Sequence, residues 1–424
     1  MAFEIDEGEL SREMTFDPQG RWWNCYTNLL PEVTQSYSLP KKVIIKDETL
    51  REGTTVPGRK PLSMAALLEV AVALEEAGFT ELEVGFTAAV DEHRDFARML
   101  KREGIRMKHS AHTRTWAKDW KAEIDGVIEA GADIVNLIGF GTSETEKFAL
   151  PDVRKEEVAE LYARQVEYSL KQGVFTSYML STNVTRLDIV HDSYKAVGEV
   201  GVNRAYVADG YGASTPEGIK FMITYIKNLL PPGVEIGLHQ HNDFGQATAN
   251  ALAAVTVGAS VIDTAVNGLG DRGGIPSADW VVASLEALYG VPTGIKLDKL
   301  KPLSSLVARH WGIPIEPHRP VTGDNMYRHE TDIHIAALLS GHWYAYNVIK
   351  PEVLGAEESL EFGLSSLAKG ETSALGVKIN LMGFKATDEQ FDGILDLIRQ
   401  EIKQSPQGFA TEEKVGEIIK QVLK

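Results

Sequence analysis

The residues best suited to chemistry are a histidine pair, His239 and His241, inside the string LHQHND. Side chains alternate along a β-strand, so residues two apart point to the same side. Two imidazoles that converge on one point suit a divalent cation. A carboxylate from another strand, for which Glu52 is the first candidate, would complete a two-histidine, one-carboxylate set with open positions for water or substrate. The alternative, that both histidines are hydrogen-bonded core residues, stays open at this point.

Polar side chains also follow the other early strands. Those after the first three candidate strands are Asp47, Arg51, Glu52, Glu83, His109, His112 and Arg114. In an α/β barrel the reactive groups collect at the carboxyl ends of the strands. Arg51 beside a carboxylate has two interpretations of equal weight. It is either a surface ion pair of little energetic value or a guanidinium that stabilises an enolate or alkoxide oxygen next to a metal.

The elements that must position these residues follow from periodicity. Short β-branched runs alternate with longer helical patterns about eight times between residues 42 and 290. Eight parallel βα units in about 250 residues fit a (β/α)8 barrel, and no G-x-G-x-x-G string follows the first strand to favour a dinucleotide-binding fold. The predicted strands are Val43–Lys46, Leu82–Phe86, Met107–Ala111, Ile134–Ile138, Thr176–Met179, Ala205–Ala208, Ile236–His239 and Val261–Val266.

Two of the intervening helices are predicted with defined ends. They are Ser63–Ala77, followed by Gly78, and Asp243–Val257, followed by Gly258. Apolar residues recur at three-to-four spacing in both, and glycine supplies the C-terminal stop. The predicted fold class is therefore α/β, a TIM barrel over residues 42–290 with a C-terminal α(+β) appendage.

The segments that flank the barrel differ from it in character. Residues 1–41 carry the aromatic string RWWNCYTNLLPEV, which predicts an N-terminal strap packed across a barrel or subunit. Residues 291–424 begin with a proline-interrupted half that holds the polar string GDNMYRHETDIH at 323–334. The later string LGVKINLMGF (375–384) is expected to form a strand pair or extended run, and two amphipathic helices are expected after it.

Composition narrows the class of protein. The 424 residues carry 43 Lys+Arg against 60 Asp+Glu, a formal net charge of −17 at pH 7. This balance argues against a general nucleic-acid binder, which needs a basic face. The single cysteine, Cys25, excludes intramolecular disulfides and cysteine-based zinc sites. The chain has no run of about 18 apolar residues and its N-terminus lacks the features of a signal peptide, so a cytoplasmic location is expected.

Four ordered strings carry a resemblance to a known family. They are DETLREG near the start of the barrel, HQHND at strand seven, GLGDRGG at 268–274 and HETDIH at 329–334. Together they resemble the DRE-TIM metallolyase superfamily. The last string is similar to the HESGIH segment of its 2-isopropylmalate synthase and homocitrate synthase branch, and YAYNVIKPEVLG (344–355) is similar to the post-barrel segment of that branch.

The resemblance implies a metal site and a reaction. Glu52, His239 and His241 would bind Mg²⁺, Mn²⁺, Zn²⁺ or a similar ion that chelates a 2-oxo acid, and Arg51 would help polarise the carbonyl. Acetyl-CoA would lose a methyl proton, the enolate would attack, and thioester hydrolysis would release a substituted malate and CoA. His334 would match the family histidine that enters the active site, often from the partner subunit. The post-barrel segment would thus help complete the active site and form a homodimer.

Further pocket residues are assigned beside these. Glu83 and Tyr346 join Arg51 and His334 as catalytic candidates. The expected substrate-binding residues are His112, Arg114, Thr182, Asp209, Gly210 and Ile275. Because oxo acids and CoA are anions and the chain is acidic, a local cationic centre must offset the overall field. Its candidates, besides the metal, are Arg51, Arg114, Arg186 and Arg272.

Four departures from the family strings fall in the expected substrate pocket. Thr55 stands in place of the glutamine of R-[DE]-G-x-Q, and Thr182 in place of the glutamate of a string like SAEDATR. The string DGYG (209–212) replaces D-T-x-G, and Ile275 replaces the asparagine of GLGERAGN. These changes suggest an unusual oxo substrate, a different acyl donor or a different reaction.

Carbon–carbon bond formation by a malate-forming synthase remains the first expectation, because His334 and the post-barrel segment are retained. The runner-up is a retro-aldol or retro-Claisen lyase or decarboxylase on the same metal framework. Cys25 does not match the mobile-loop cysteine of the hydroxymethylglutaryl-CoA lyase branch. A third possibility is a catalytically silent barrel that serves as a binding subunit.

Overall fold

The computed structural model describes residues 14–141, 150 and 153–424, so the first thirteen residues of the predicted strap lie outside the described residues. The described chain divides into two compact units, which we call the barrel unit (residues 27–315) and the second unit (residues 14–26 and 316–424). Among the described residues, every helix is too short or too polar to cross a bilayer.

The barrel unit is a closed ring of eight parallel strands, in which each strand pairs with the next along the chain and the eighth pairs with the first. The strands are β1 Ile44–Asp47, β2 Glu81–Glu83, β3 Lys108–Arg114, β4 Ile134–Gly139, β5 Phe175–Ser181, β6 Arg204–Asp209, β7 Glu235–Gln240 and β8 Val261–Thr264. The predicted (β/α)8 TIM barrel is confirmed.

Helices alternate with these strands along the chain. They are α1 Met64–Ala77, α2 Asp91–Arg102, α3 Trp120–Glu129, α4 Val158–Lys171, α5 Leu187–Glu199, α6 Pro216–Leu229, α7 Ala247–Thr256, α8 Ala278–Leu288 and α9 Leu300–Trp311. The helix α1 has the predicted ends, because the Ser63 side chain accepts the N–H of Ala66 and Gly78 adopts φ 103°.

The helix α7 begins later than the sequence pattern suggests. Helical periodicity starts at Asp243, but Gly245 adopts φ 72° and the Asn242 side-chain oxygen accepts the Ala247 N–H at 3.0 Å. A residue in the left-handed region interrupts the helix, so the first helical residue is Ala247. This keeps residues 242–246 as a loop directly after β7.

The second unit is a small α+β unit. Its strands and helices are β9 Arg328–His329, β10 Ser359–Phe362, β11 Ala410–Thr411, α10 Asp332–Leu339, α11 Ala374–Leu381, α12 Asp388–Gln404 and α13 Glu412–Leu423. A hairpin of Met14–Phe16 and Trp23–Cys25 belongs to the same unit, where Trp22 bridges Ile349. The first residues of the aromatic string therefore pair with the segment that follows α10.

Two segments differ from the sequence-based expectations. The expectation of extended structure over 375–384 is wrong, because that string forms the helix α11. The Ser373 side chain caps it by accepting the Gly376 N–H, and Leu375 and Ile379, four residues apart, are both buried. In addition, α9 belongs to the barrel unit, where the Trp311 indole N–H donates to the Gly53 carbonyl. The barrel unit thus extends to residue 315, beyond the predicted boundary at 290.

Candidate active site

Glu52, His239 and His241 meet at the carboxyl end of the barrel. One ligand atom from each residue lies within 4.8 Å of the others, and all three residues are buried. His239 lies near the end of β7, His241 directly follows that strand, and Glu52 opens the turn after β1. The structure therefore brings together the three side chains that the sequence proposes as metal ligands.

The surroundings of the two histidines fit a metal. His239 Nδ1 lies 3.1 Å from Asp263 Oδ2, which leaves Nε2 for a ligand bond, as in the carboxylate–histidine–metal arrangement. His241 Nδ1 is buried and has no hydrogen-bond partner among the described residues. Burial, together with the neighbouring His239, lowers the pKa of His241 to about 4. A neutral imidazole with an unused nitrogen is the form that binds a cation.

Arg51 lies beside this triad. Its Nη1 contacts the Glu52 carboxylate and lies 3.9 Å from Glu48 Oε2, and its guanidinium carbon is 5.6 Å from the centroid of the Phe86 ring. The Arg51 side chain is 17% exposed, so the ion pair is mostly buried. This position suits a guanidinium that faces a developing oxyanion better than it suits an exposed surface pair.

A buried charged cluster adjoins the triad and consists of Lys46, Glu48, Glu83 and Asp263. We call it the carboxyl-end cluster. The Lys46 Nζ lies 3.0 Å from Glu48 Oε1, 2.9 Å from Glu83 Oε2 and 3.7 Å from Asp263 Oδ1. Burial alone would lower the pKa of Lys46, but these carboxylates hold it well above its ordinary value. One ammonium therefore faces three carboxyl groups.

The protonation of this cluster is uneven. Burial raises the pKa of Glu83 to about 7, although Lys46 opposes the shift. Burial also acts on Glu48, but the positive Lys46, together with His239 and Arg51, holds the pKa of Glu48 well below its ordinary value. The Glu83 carboxyl group can therefore exchange a proton near neutral pH, which is a property of catalytic acids and bases.

His112 lies near Glu83, on the neighbouring strand β3. Its Nε2 lies 3.8 Å from Glu83 Oε2, and its Nδ1 accepts the Asn136 side-chain amide at 3.0 Å. Asn136 is oriented in turn by the Ser177 hydroxyl, which donates to its Oδ1 at 2.8 Å. Burial lowers the pKa of His112 well below its ordinary value, and Arg51 lowers it further. The imidazole is therefore neutral, with its Nε2 proton directed toward Glu83.

Sequence reasoning did not single out Lys46, Glu48, Asp263 or Asn136. Two features of the sequence could have indicated them. Lys46 and Glu48 are two positions apart at the end of β1, so they point to the same side. The third residue of the four-residue strand β8 is the charged Asp263. A charged side chain inside a short buried strand needs a partner, so it indicates a polar interior. The identity of that partner lies on another strand and has no signature in the local sequence.

Several expected substrate-binding residues make structural contacts. The Thr182 hydroxyl donates to the Ala208 carbonyl at 2.9 Å. The Asp209 carboxylate accepts the Ser214 backbone N–H at 2.7 Å and the Gln240 side-chain amide at 3.1 Å. Both side chains are therefore committed to holding the loops after β5 and β6.

The remaining pocket candidates also have defined contacts. The Gly210 carbonyl accepts from Arg272 at 2.7 Å, and Ile275 is buried in the loop after β8. Arg114 pairs with Glu123, a residue of α3. Arg186 is paired with Asp188 at the exposed start of α5. Of the four candidate cationic residues, Arg51 is the one that contacts a ligand of the triad.

His334 and Tyr346 lie together in the second unit. Their rings stack with centroids 3.5 Å apart and planes 20° apart. His334 is in the first turn of α10, and Tyr346 follows the turn Trp343–Ala345. Two catalytic candidates that are twelve positions apart in the sequence thus form one aromatic pair.

Comparison with known proteins gives the family of the chain. Residues 42–307 match the HMGL-like family, and residues 321–406 match a domain described as homocitrate synthase post-HMGL domain-like. The HMG-CoA lyase of Bacillus subtilis superposes with a TM-score of 0.55 at 20% identity, covering 65% of this chain and 96% of that one. That likeness concerns the fold alone.

Three curated relatives extend over most of the chain. A homocitrate synthase AksA of Methanopyrus kandleri is 31% identical, covering 92% of this chain and 95% of the relative. A probable 2-isopropylmalate synthase of Ignicoccus hospitalis is 31% identical, with 91% and 94% covered. The (R)-citramalate synthase CimA of Methanocaldococcus jannaschii is 32% identical, with 84% and 70% covered.

A parallel barrel with a two-histidine, one-carboxylate cluster at its carboxyl end defines the class of protein. The chain belongs to the HMGL-like family and, within it, to the synthase branch of the DRE-TIM metallolyase superfamily. It is an isopropylmalate/homocitrate synthase-like enzyme of the acyltransferase class.

Proposed function

We propose that this enzyme condenses an acyl-CoA, with acetyl-CoA as the first choice, with a 2-oxo acid and releases a substituted malate and CoA. The observation that carries the proposal is the triad of Glu52, His239 and His241, within 4.8 Å of one another and with Arg51 in contact. The synthase names of relatives that span most of the chain point in the same direction.

The triad would hold a divalent cation, Mg²⁺, Mn²⁺ or Zn²⁺. When bound, such an ion supplies a Lewis acid that stabilises negative charge on the 2-oxo carbonyl oxygen. Arg51 adds a fixed positive charge beside the same oxygen, because its guanidinium is held against Glu52. Asp263 orients His239 through the 3.1 Å contact at Nδ1. The site thereby gathers positive charge inside an otherwise acidic protein.

Removal of the acetyl methyl proton needs a base held close to that methyl group. We propose that the base is the partner subunit's His334, stacked on the partner's Tyr346, so that the working enzyme is a homodimer. We propose that Glu83, whose pKa burial raises to about 7, gives its proton to the developing alkoxide, and that His112 helps to position the Glu83 carboxyl group. Size-exclusion chromatography with light scattering tests the dimer directly.

The test of the function is a panel assay. Purified protein is incubated with Mg²⁺, Mn²⁺ or Zn²⁺, a series of 2-oxo acids and acetyl-CoA, and free CoA is detected with a thiol reagent. We expect CoA release that depends on one oxo acid and on the metal, and that is lost in Glu52→Gln. No thiol release with any member would contradict the synthase proposal.

Two other outcomes of the panel are informative. Formation of a 2-oxo acid from a hydroxy-dicarboxylate without CoA would favour the lyase alternative on the same metal framework. A protein that gains no thermal stability from any of the three metals would favour a catalytically silent binding subunit, because a ligand that binds only the folded state must raise the unfolding temperature.

A further inference from the structure

A chain of hydrogen bonds extends from His334 into the interior of the second unit. His334 Nδ1 lies 3.4 Å from His329 Nδ1, and His329 Nε2 lies 3.2 Å from the side-chain oxygen of Asn347. The Asn347 side-chain amide then donates to Glu358 Oε1 at 2.9 Å. Each link joins a single donor to a single acceptor, so the direction of one bond fixes the direction of the next.

The direction can be read from the carboxylate end. Glu358 Oε1 accepts, so the amide nitrogen of Asn347 must point to it and the amide oxygen must point to His329. That oxygen can only accept a hydrogen bond, so His329 carries its proton on Nε2 and its Nδ1 is unprotonated. The unprotonated Nδ1 of His329 can only accept a hydrogen bond, so His334 carries its proton on its own Nδ1. His334 Nε2 is then left without a proton.

These bond directions require that both histidines are neutral. Burial lowers the pKa of His329 and of His334, so each imidazole is neutral near pH 7 and has one donor and one acceptor. His329 and Asn347 are 7% and 3% exposed, so the reverse orientation would leave buried polar atoms without partners. Leaving a buried donor or acceptor without a partner is costly, so one orientation is selected.

Strand pairing and aromatic contacts surround this chain of hydrogen bonds. His329 lies in β9 and pairs with Leu360 of β10, and Glu358 directly precedes β10. The backbone oxygen of Asn347 accepts the Trp23 indole N–H at 2.8 Å. Tyr346 stacks on the His334 ring and fixes its plane. The four members of the chain are thus held by a sheet, an aromatic stack and the N-terminal hairpin.

We propose that Asn347 and Glu358 are positioning residues that hold His334 in the Nδ1–H tautomer and leave Nε2 as a proton acceptor. The catalytic use of that nitrogen rests on the proposed function, in which the partner subunit's His334 removes a proton from the acyl donor. The tautomer itself is a property of the second unit. A base whose accepting nitrogen is already unprotonated needs no change of tautomer before it acts.

Nitrogen NMR of the full-length protein labelled with ¹⁵N-histidine tests the tautomer. Comparison with His334→Gln assigns the His334 signals. We expect a protonated Nδ1 and an unprotonated Nε2 for His334 at pH 8. A protonated Nε2 in the wild-type protein would overturn the proposal. Because this measurement needs no turnover, it can succeed even when the panel assay finds no substrate, so the two failures are distinguishable.

A matched pair of variants at one position separates positioning from mere packing. Glu358→Gln keeps an oxygen that accepts the Asn347 amide, whereas Glu358→Leu has no acceptor and lets that amide turn. General bases contribute about 10²–10⁴-fold, so we expect Glu358→Leu to lose about tenfold in kcat with KM unchanged and to give a mixed His334 tautomer. Glu358→Gln should recover the wild-type tautomer and most of kcat. Equal losses in both variants, or an unchanged tautomer in Glu358→Leu at normal thermal stability, would overturn it.

Discussion

Two buried charged clusters lie at opposite ends of the same barrel. The amino-end cluster consists of Arg204, Glu81 and Glu235, the first residues of β6, β2 and β7. Arg204 donates to Glu81 from both Nη atoms, at 2.7 and 3.0 Å, and from Nε to Glu235 at 2.8 Å. The guanidinium binds Glu81, which is buried, through two hydrogen bonds and also binds the partly exposed Glu235. The polar atoms of this cluster are therefore hydrogen-bonded within it.

The carboxyl-end cluster is built differently. Its single ammonium, Lys46, faces three carboxyl groups. Carboxylate oxygens of the cluster, among them Glu48 Oε2 and Asp263 Oδ1, are buried without hydrogen-bond partners among the described residues. The ring of Tyr206 lies between the clusters: Lys46 Nζ is 5.6 Å from its centroid and its hydroxyl is 3.4 Å from Arg204. The Tyr206 ring thus separates a cluster whose polar atoms are hydrogen-bonded from one in which some carboxylate oxygens have no hydrogen-bond partner among the described residues.

The difference between the two clusters indicates that the two ends of the barrel have different roles. Active sites of TIM barrels lie at the carboxyl face, where loops after the strands carry the chemistry. A cluster that is too acidic for its own cation is costly for folding, and a bound divalent ion on the neighbouring triad would offset the excess. The amino-end cluster needs no ligand, so we expect its loss to affect stability rather than turnover.

The largest expected effect concerns the triad of Glu52, His239 and His241. His241→Ala should lower turnover by about 10³-fold or more, because the metal contributes several kcal/mol to the transition state. CoA release and the metal-dependent rise in unfolding temperature measure both consequences. The matched control is His109→Ala, because burial lowers the pKa of His109 to about 4 as well, but this residue is outside the triad. Full metal affinity in His241→Ala would contradict the ligand assignment.

Arginine removal at the amino-end cluster should affect folding alone. Arg204→Met leaves Glu81 buried without its cation, which should cost about 3–5 kcal/mol of unfolding free energy. Urea unfolding measures the loss, and turnover of the folded variant should equal that of the wild type. Lys46→Met is the comparison variant, for which we expect losses of both stability and turnover. Equal turnover losses in the two variants would remove the distinction between the clusters.

A pair of glutamate substitutions on one strand sharpens the comparison. Glu81 and Glu83 both lie in β2, but Glu81 belongs to the amino-end cluster and Glu83 to the other. Glu81→Gln should cost about 1.5–3 kcal/mol, the value of hydrogen bonds to a charged group. Glu83→Gln should cost less at pH 8, since it removes one of the surplus carboxylates. Urea unfolding of both variants at pH 8 provides the test, and a larger loss in Glu83→Gln would contradict it.

The smallest effect is a change in pH dependence. Glu83 has a pKa of about 7 in the folded protein against an ordinary value of 4.5. The folded state therefore binds a proton that the unfolded state has released, so stability from this group is present below about pH 4.5 and is lost as the pH rises through 7. Glu83→Gln should flatten the fall in unfolding free energy between pH 5 and pH 8.

Glu81 should act in the opposite direction. Burial would raise the pKa of Glu81, but its hydrogen bonds to Arg204 hold it below the ordinary value of 4.5. Its contribution is therefore present above pH 4.5 and is lost as the pH falls, so Glu81→Gln should leave the slope between pH 5 and pH 8 unchanged. Unfolding curves over this range separate the two glutamates. If the unfolding free energy of Glu83→Gln falls between pH 5 and pH 8 as steeply as that of the wild type, the fall comes instead from Asp47. Burial also raises the pKa of Asp47 to about 7.

Much of the fold and part of the site could be predicted from the sequence. The period of two in the strands and of three to four in the helices sufficed for the barrel, because these patterns are local. The pair His239 and His241 was recognisable for the same reason, since alternation places both on one side of a strand. The string 375–384 was not, because its apolar run suits either a strand or a short buried helix, and the Ser373 cap decides between them.

The amino-acid sequence by itself determined the barrel, the position of the histidine pair at the end of a strand, and Arg51 and Glu52 after the first strand. Tertiary structure alone decided that Lys46 faces three carboxyl groups, that Thr182 and Asp209 are committed to loop contacts, and that Asn347 links His329 to Glu358. The physical reason is distance along the chain. Periodicity acts between neighbours, whereas burial and charge pairing depend on side chains that only the closed barrel and the folded second unit bring together.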